Sequence, residues 1–137
     1  MTIDSNSKRF FQVRNARNTE IAEDYTEMIA DLINENGEAR SVDLAERFGV
    51  TSPTVNSIIR RLVREGLVES KPYRSIFLTE EGKVLAAFCK KRHEIVYKFL
   101  LAIGVKDEIA KIDAEGLEHH VSKETLKVFE NFILKYK

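Results

Sequence analysis

The sequence predicts a mainly α-helical chain with one small β-wing, built as a helical domain that ends in a short hairpin and is followed by a second, all-helical domain. Three observations predict it. Apolar residues recur at helical spacing through most of the 137 residues. One stretch, Leu67 to Leu78, alternates loosely as paired strands do, and glycine, proline or a hydroxyl residue stands wherever the helical period breaks. With 43% apolar residues, the chain can bury one core, or a small domain plus an appendage that depends on a partner.

Residues 1–19 show no sustained period and hold Lys8, Arg9, Arg14 and Arg17 against one acid, Asp4; they read as a mobile basic N-terminal arm. From Glu20, the residues Ile21, Tyr25, Met28, Ile29, Leu32 and Ile33 mark a helix that stops at Asn36-Gly37, a C-cap pair. Ser41 is placed to cap a short second helix carrying Val42, Leu44, Ala45 and Phe48, closed by Gly49. Ser52-Pro53 reads as an N-cap with proline in the first turn. It opens a third helix with Val55, Ile58, Ile59, Leu62 and Val63 inward, closed by Gly66. Two short strands follow, with Lys71-Pro72-Tyr73-Arg74 as their turn. Thr79-Glu80-Glu81 then begins a long helix, with a hydroxyl cap and acids at its positive end. That helix runs through Leu85, Phe88, His93, Val96, Phe99 and Leu100 to Gly104. A further helix spans Asp107 to His119, and Ser122 caps the last one, whose stripe is Leu126, Phe129, Ile133 and Leu134. The expected organisation is an arm over 1–19, a first domain over 20–78 and a second over 79–137.

Composition narrows the function classes. No apolar run approaches the length of a membrane span, and the start lacks the pattern of a secretory signal, so a cytoplasmic protein with no membrane partner is expected. Cys89, the only cysteine, cannot form an internal disulfide, and Ala86, Ala87 and Phe88 around it suit a buried helical thiol. Lysine plus arginine equals aspartate plus glutamate at 22 each, which argues against indiscriminate coating of nucleic acid. The balance is uneven, however. Residues 52–74 hold Arg60, Arg61, Arg64, Lys71 and Arg74 against Glu65 and Glu69, five bases against two acids, leaving the remainder net acidic.

Helix, glycine turn, helix and basic hairpin in that order describe a winged helix-turn-helix. The helix opening at Ser52 would enter the DNA major groove by its N-terminal end, offering Ser52, Thr54, Asn56 and Ser57 to base edges and phosphates. Arg60, Arg61 and Arg64 would contact phosphate and fix register, and Lys71 and Arg74 of the wing would hold the flanking backbone.

A second constellation carries metal chemistry. Asp24 and Glu27, spaced i, i+3, border the apolar stripe of the first helix. Glu115, Glu118 and His119, at i, i+3 and i+4, put two carboxylates and an imidazole on one helical face, with Gly116 allowing close backbone approach. His93 adds a second imidazole from the long helix, and His120 points away. Carboxylate and imidazole without thiolate suit Mn²⁺, Fe²⁺, Co²⁺ or Zn²⁺, and oxygen richness tilts the set toward harder, six-coordinate ions. Four carboxylates with two neutral histidines carry −4, which two divalent cations neutralise, so a binuclear site is expected. A binuclear hydrolase needs a nucleophile or acid–base group that is not apparent, so no enzyme is expected. A winged-helix repressor that answers Fe²⁺ or Zn²⁺, or no metal, stays open at this point.

The stretches Asp24-Tyr-Thr-Glu27, Val42-Asp-Leu-Ala-Glu-Arg-Phe-Gly-Val-Thr-Ser-Pro-Thr-Val, Arg92-His93-Glu and Asp113-Ala-Glu-Gly-Leu-Glu-His-His-Val-Ser122 resemble the manganese transport regulator branch of the diphtheria toxin repressor family. The resemblance runs from about Glu20 to Lys137. It implies a winged helix-turn-helix domain followed by an α-helical metal-binding and dimerisation domain. It also implies that Asp24, Glu27, His93, Glu115, Glu118 and His119 are the ligands. In the iron-sensing branch the positions of Asp24 and Glu118 are typically methionine and cysteine, so the resemblance points to Mn²⁺, two ions per subunit. It further implies a repressor of manganese-uptake genes. The ligands come from both domains, so metal is expected to hold the DNA-binding domain in one orientation. The apolar stripe after Ser122 is best buried against a second copy, giving a homodimer matched to palindromic double-stranded operator DNA.

Overall fold

In the computed structural model, which describes residues 2–70 and 75–136, the first element is a single helix, α1, Thr2–Asn36. Its buried face, Ala22, Tyr25, Ile29 and Leu32, steps by three and four residues, so one stripe faces inward. Gly37 follows at φ 81 and its N–H donates to the Ile33 carbonyl at 2.8 Å, a left-handed C-terminal cap. The arm read as mobile is thus, over its described residues, the first half of α1. Its exposed side chains explain the missing period. Once the packed turns nucleate the helix, extension through alanine, lysine and arginine is inexpensive.

Helices α2, Ser41–Phe48, and α3, Ser52–Arg64, pack against α1 through Leu44, Val55, Ile59 and Leu62, all nearly inaccessible to solvent, while Tyr25 stacks on Phe48 at 4.4 Å. Each fully buried aliphatic side chain here stabilises by roughly 1.5–3 kcal/mol. Three local expectations shift. Ser41 is the first residue of α2 rather than its cap; Arg40 holds the N-cap position without a side-chain bond. The cap of α3 is Thr51, whose Oγ1 accepts from the Thr54 N–H, and Ser52 is already helical. The two adjacent hydroxyls are chemically equivalent caps, and only the extended backbone of Thr51, φ −78 and ψ 156, selects it. Val63, expected inward, is 42% exposed, because Val55, Ile59 and Leu62 take the inward positions and Val63 lies about 100° beyond Leu62.

Strands β1, Val68–Ser70, and β2, Ile76–Leu78, pair antiparallel in the register Val68↔Leu78, Glu69↔Phe77 and Ser70↔Ile76, and Ala39 bridges to Ile76. The wing is therefore stitched to the α1–α2 loop as well as to itself. Lys71 and Arg74, expected as DNA contacts, lie outside the described residues. Thr79 caps α4, Glu80–Ala102, by accepting from the Gly82 N–H at 3.1 Å while donating to the Gly66 carbonyl at 2.6 Å. Gly82 has no room for a side chain: a Cβ there would sit 2.1 Å from the Leu67 carbonyl oxygen.

The chain divides after Ala86, within α4, into two compact units, Met1–Ala86 and Ala87–Lys137. In the second unit, Val96 and Leu100 of α4 meet Ala110 and Ala114 of α5, Asp107–Leu117. These two alanines, one turn apart and fully buried, let α5 approach α4 closely. A 3-10 turn, Glu118–His120, follows, and Ser122 caps α6, Lys123–Lys135, by accepting from the Thr125 N–H at 3.1 Å. Phe129 of α6 stacks on Phe99 at 3.8 Å, but α6 buries no residue fully, and Leu134, expected in its apolar stripe, is 68% exposed. No helix among the described residues is long and apolar enough to cross a membrane.

Candidate metal centre and nucleic-acid interface

In the second unit the packing of α4 on α5 determines which side chains meet. His93 lies one turn before Val96 on α4, and Glu115 follows the buried Ala114 on α5. Beyond them the α-helix tightens into the 3-10 turn at Glu118, a correction to the single α-helix expected through His119. Glu118, four residues after Ala114 and eight after Ala110, continues their buried stripe, while Glu115, one residue beyond Ala114, stays at the surface. Glu118 has no solvent exposure, whereas the Glu115 side chain is 68% exposed.

His93 Nδ1 stands 2.8 Å from Glu118 Oε2 and 3.9 Å from Glu115 Oε1, and one ligand atom from each of the three residues lies within 4.8 Å of the others. The other carboxylate oxygen of Glu118 is 3.5 Å from His119 Nε2, and the His119 Nδ1 faces Arg92 Nη2 at 3.2 Å. Glu118 is thus the hub, with an imidazole on each oxygen. A carboxylate taken wholly out of water is costly unless a positive charge or strong donors compensate it. Two imidazoles and a second, solvent-facing carboxylate around it form a donor set that a divalent cation fits, with Glu115 and His93 at the open side. His120 is exposed.

The lower rim of the cluster is tied down by Tyr97, one turn after His93, whose hydroxyl donates to Asp107 at the start of α5. That bond, followed by burial, raises the Tyr97 pKa, and with the Lys111 ammonium it lowers that of Asp107. The tie holds the beginning of α5 to α4 and so limits how far Glu115 can drift from His93. Sequence reasoning assigned no role to Arg92, named only within the Arg92-His93-Glu stretch, and did not anticipate the Tyr97 tie, for which the Asp107–Lys111 i, i+4 pair is a local signal.

In the first unit Asp24 and Glu27 are half-buried on α1, flanking the inward face marked by Tyr25. On α3 the residues Ser52, Thr54, Asn56, Ser57, Arg60 and Arg64 are all exposed, with Ser57, Arg60 and Arg64 on the side opposite Val55, Ile59 and Leu62. Arg61 is placed differently. Its Nη2 donates to the Asn18 carbonyl at 2.7 Å, its Nη1 faces Asn18 Oδ1 at 3.4 Å, and its Nε is 3.1 Å from Glu65. It joins α3 to α1 at the edge of the exposed face. Asn18 is 43 residues away, and nothing local signals the pairing.

Residues 18–76 match the family described as "Iron dependent repressor, N-terminal DNA binding domain", and residues 79–137 match "Iron dependent repressor, metal binding and dimerisation domain". The chain is 50% identical over 136 residues to the transcriptional regulator MntR of Escherichia coli O6:H1, covering 99% of this chain and 88% of that protein. It is 54% identical over 127 residues to the transcriptional regulator MntR of Escherichia coli O157:H7, covering 93% and 82%. A solved structure described as a manganese-dependent transcriptional repressor in complex with manganese superimposes with a TM-score of 0.72 at 28% identity, covering 82% of this chain. This chain spans about half, 52%, of that one.

Proposed function

The chain belongs to the iron dependent repressor family, which its matches over residues 18–76 and 79–137 establish, and from that premise we propose that it is a manganese-responsive repressor of manganese-uptake genes. It is a metal-dependent, DNA-binding transcriptional regulator of a family of repressors and not of enzymes. Its second half is a metal-binding and dimerisation domain, and its metal is a divalent cation.

The observation that carries the manganese reading is the fully buried Glu118 carboxylate between His93 and His119. An oxygen donor at that place, with Glu115 beside it, suits a hard, six-coordinate ion. We assign His93, Glu115, Glu118 and His119 as ligands, completed by Asp24 and Glu27 of α1. Two Mn²⁺ ions per subunit would cancel the −4 carried by the four carboxylates. Asp24 and Glu27, lying on the first helix of the DNA-binding unit, make the orientation of that unit answer to occupancy of the site. Ser52, Thr54, Asn56 and Ser57 then read base edges of a palindromic operator, with Arg60 and Arg64 on phosphates and a second copy of the chain on the other half-site.

Metal titration followed by calorimetry and by the Mn²⁺ electron paramagnetic signal tests this assignment. Two Mn²⁺ per chain are expected in the parent, and a weakened, incomplete titration in His93→Ala. Tight binding of a single ion that survives His93→Ala would refute the assignment. Zn²⁺ can bind more tightly than Mn²⁺ to the same ligands without overturning it, since nitrogen and oxygen sites follow the Irving–Williams order.

A further inference from the structure

We propose that the first half of α1 is an anchored basic arm whose partner is the phosphate backbone of the DNA duplex flanking the bases under α3. The proposal rests on the DNA-binding reading above and extends it to residues that the matched DNA-binding domain, beginning at residue 18, does not include.

Three observations carry it. The first is charge. Between residues 5 and 19 there are four basic residues, Lys8, Arg9, Arg14 and Arg17, and no aspartate or glutamate. In a chain with no net charge this is a marked local excess, and all four residues are exposed on a helix. The N-terminal end of that helix adds the positive end of its dipole.

The second is continuity with the α3 surface. Arg61 donates to the Asn18 carbonyl at 2.7 Å and so holds α1 against the flank of α3. On α3, Arg61 is the neighbour of Arg60 and three residues from Arg64, both exposed. On α1, Arg14 is four residues before Asn18 and lies within about 40° of it around the helix, with Arg17 about 100° away. Arg14 therefore continues, one turn further out, the side of α1 that touches α3. Arg14, with Arg17 toward its edge, thus extends the exposed bases of α3 onto α1.

The third is stiffness. The arm and the packed part of α1 are one helix, Thr2–Asn36, so its charges extend from a fixed origin. A helical arm gives up less conformational freedom on meeting a phosphate than a flexible tail would. Phosphate contacts of this kind position a protein and add affinity without sequence information. The expected signature is therefore a sequence-independent, salt-sensitive gain.

Binding of the full chain, dimer and metal as they exist in Mn²⁺-containing buffer, to a labelled mixed-sequence duplex of about 40 base pairs, measured as a function of KCl, tests the arm directly. The double variant Arg14→Ala/Arg17→Ala keeps the helix, since alanine is the best helix former. It is expected to lower the slope of log K against log salt by about 3.6 per bound dimer, or about 0.9 for each of the four phosphates no longer neutralised, two per subunit, and to weaken binding at low salt. Lys127→Ala, an exposed lysine of α6, controls for removal of charge alone and is expected to leave the slope unchanged. A double variant with the parent slope and affinity would overturn the arm while leaving the DNA-binding reading intact, as would equal losses in the double variant and Lys127→Ala. A parent chain without salt-dependent DNA binding would overturn both. Circular dichroism and melting of the double variant, expected to match the parent because both residues are exposed, exclude unfolding; should it fail to fold, Arg14→Gln/Arg17→Gln answers the same slope measurement.

Discussion

Glu118 is a fully buried carboxylate whose two oxygens each face a histidine, and single residues of this kind decide whether the site works. Glu118→Gln keeps the size and one acceptor for His93 while removing the charge that holds a cation. Metal affinity should fall at least as far as the 10- to 100-fold loss typical of outer-shell partners, with the melting temperature of the metal-free chain retained. An unchanged Mn²⁺ isotherm would remove Glu118 from the ligand set. Gly82 makes the opposite point, because its role is packing alone. A Cβ at that position would meet the Leu67 carbonyl oxygen at 2.1 Å, and backbone cannot yield as a side chain does. Gly82→Ala should destabilise the first unit by at least ~2 kcal/mol in urea denaturation. The two cases also differ in legibility. Glu118 could be read from the i, i+3, i+4 pattern of Glu115, Glu118 and His119, since helical geometry turns spacing into proximity. The crowding at Gly82 and the Arg61–Asn18 bond depend on which elements pack together, and no local spacing encodes that.

At the scale of elements, the punctuation of the chain was largely legible because capping is local chemistry. Gly37, Gly49, Gly66 and Gly104 all adopt positive φ, and Thr79 and Ser122 cap α4 and α6 through their hydroxyls. Ser122→Ala should cost about 1 kcal/mol of stability, measured as a lower melting temperature with no change in helix content of the native state. The one-residue shift at Ser52 arose where the neighbouring Thr51 is an equally good cap, whereas at α2 Arg40 precedes Ser41 without a side-chain cap bond. The helical arm was illegible for a different reason: an exposed helix needs no apolar stripe, so periodicity is silent about it. The wing carries a pH signature. Ser75 donates to Glu38 at 2.7 Å, and that bond, together with the Arg40 guanidinium, lowers the Glu38 pKa. A folded-state pKa below the unfolded one means that the bond stabilises the wing above pH about 4.5 and is lost as pH falls through the lower value. The difference in amide-exchange protection of β2 between parent and Glu38→Gln should therefore shrink as the solution is acidified below the ordinary glutamate pKa. A difference that widens on acidification would contradict this sign.

For the whole molecule, the sequence conveyed the division of labour better than its surfaces. The exposed bases of α3 lie on the helix expected of them, and β1 and β2 pair as the expected hairpin strands. What remains uncovered in one chain is apolar: Ile112, Val128 and Leu134 are 72%, 60% and 68% exposed. In a unit matching a dimerisation domain, those residues suit a second copy, and the chain should sediment as a dimer at micromolar concentration. Under the proposed function, occupancy of a site built on Glu118 governs DNA binding. This dependence is tested most directly by enriching a randomised duplex pool on the Mn²⁺-loaded chain, then measuring the affinity of the enriched duplex with Mn²⁺ and with chelator. We predict a palindromic sequence bound at least about tenfold, or 1.4 kcal/mol, more tightly with Mn²⁺, and a loss of that difference in Glu118→Gln. Equal affinity in chelator and in Mn²⁺ would contradict it.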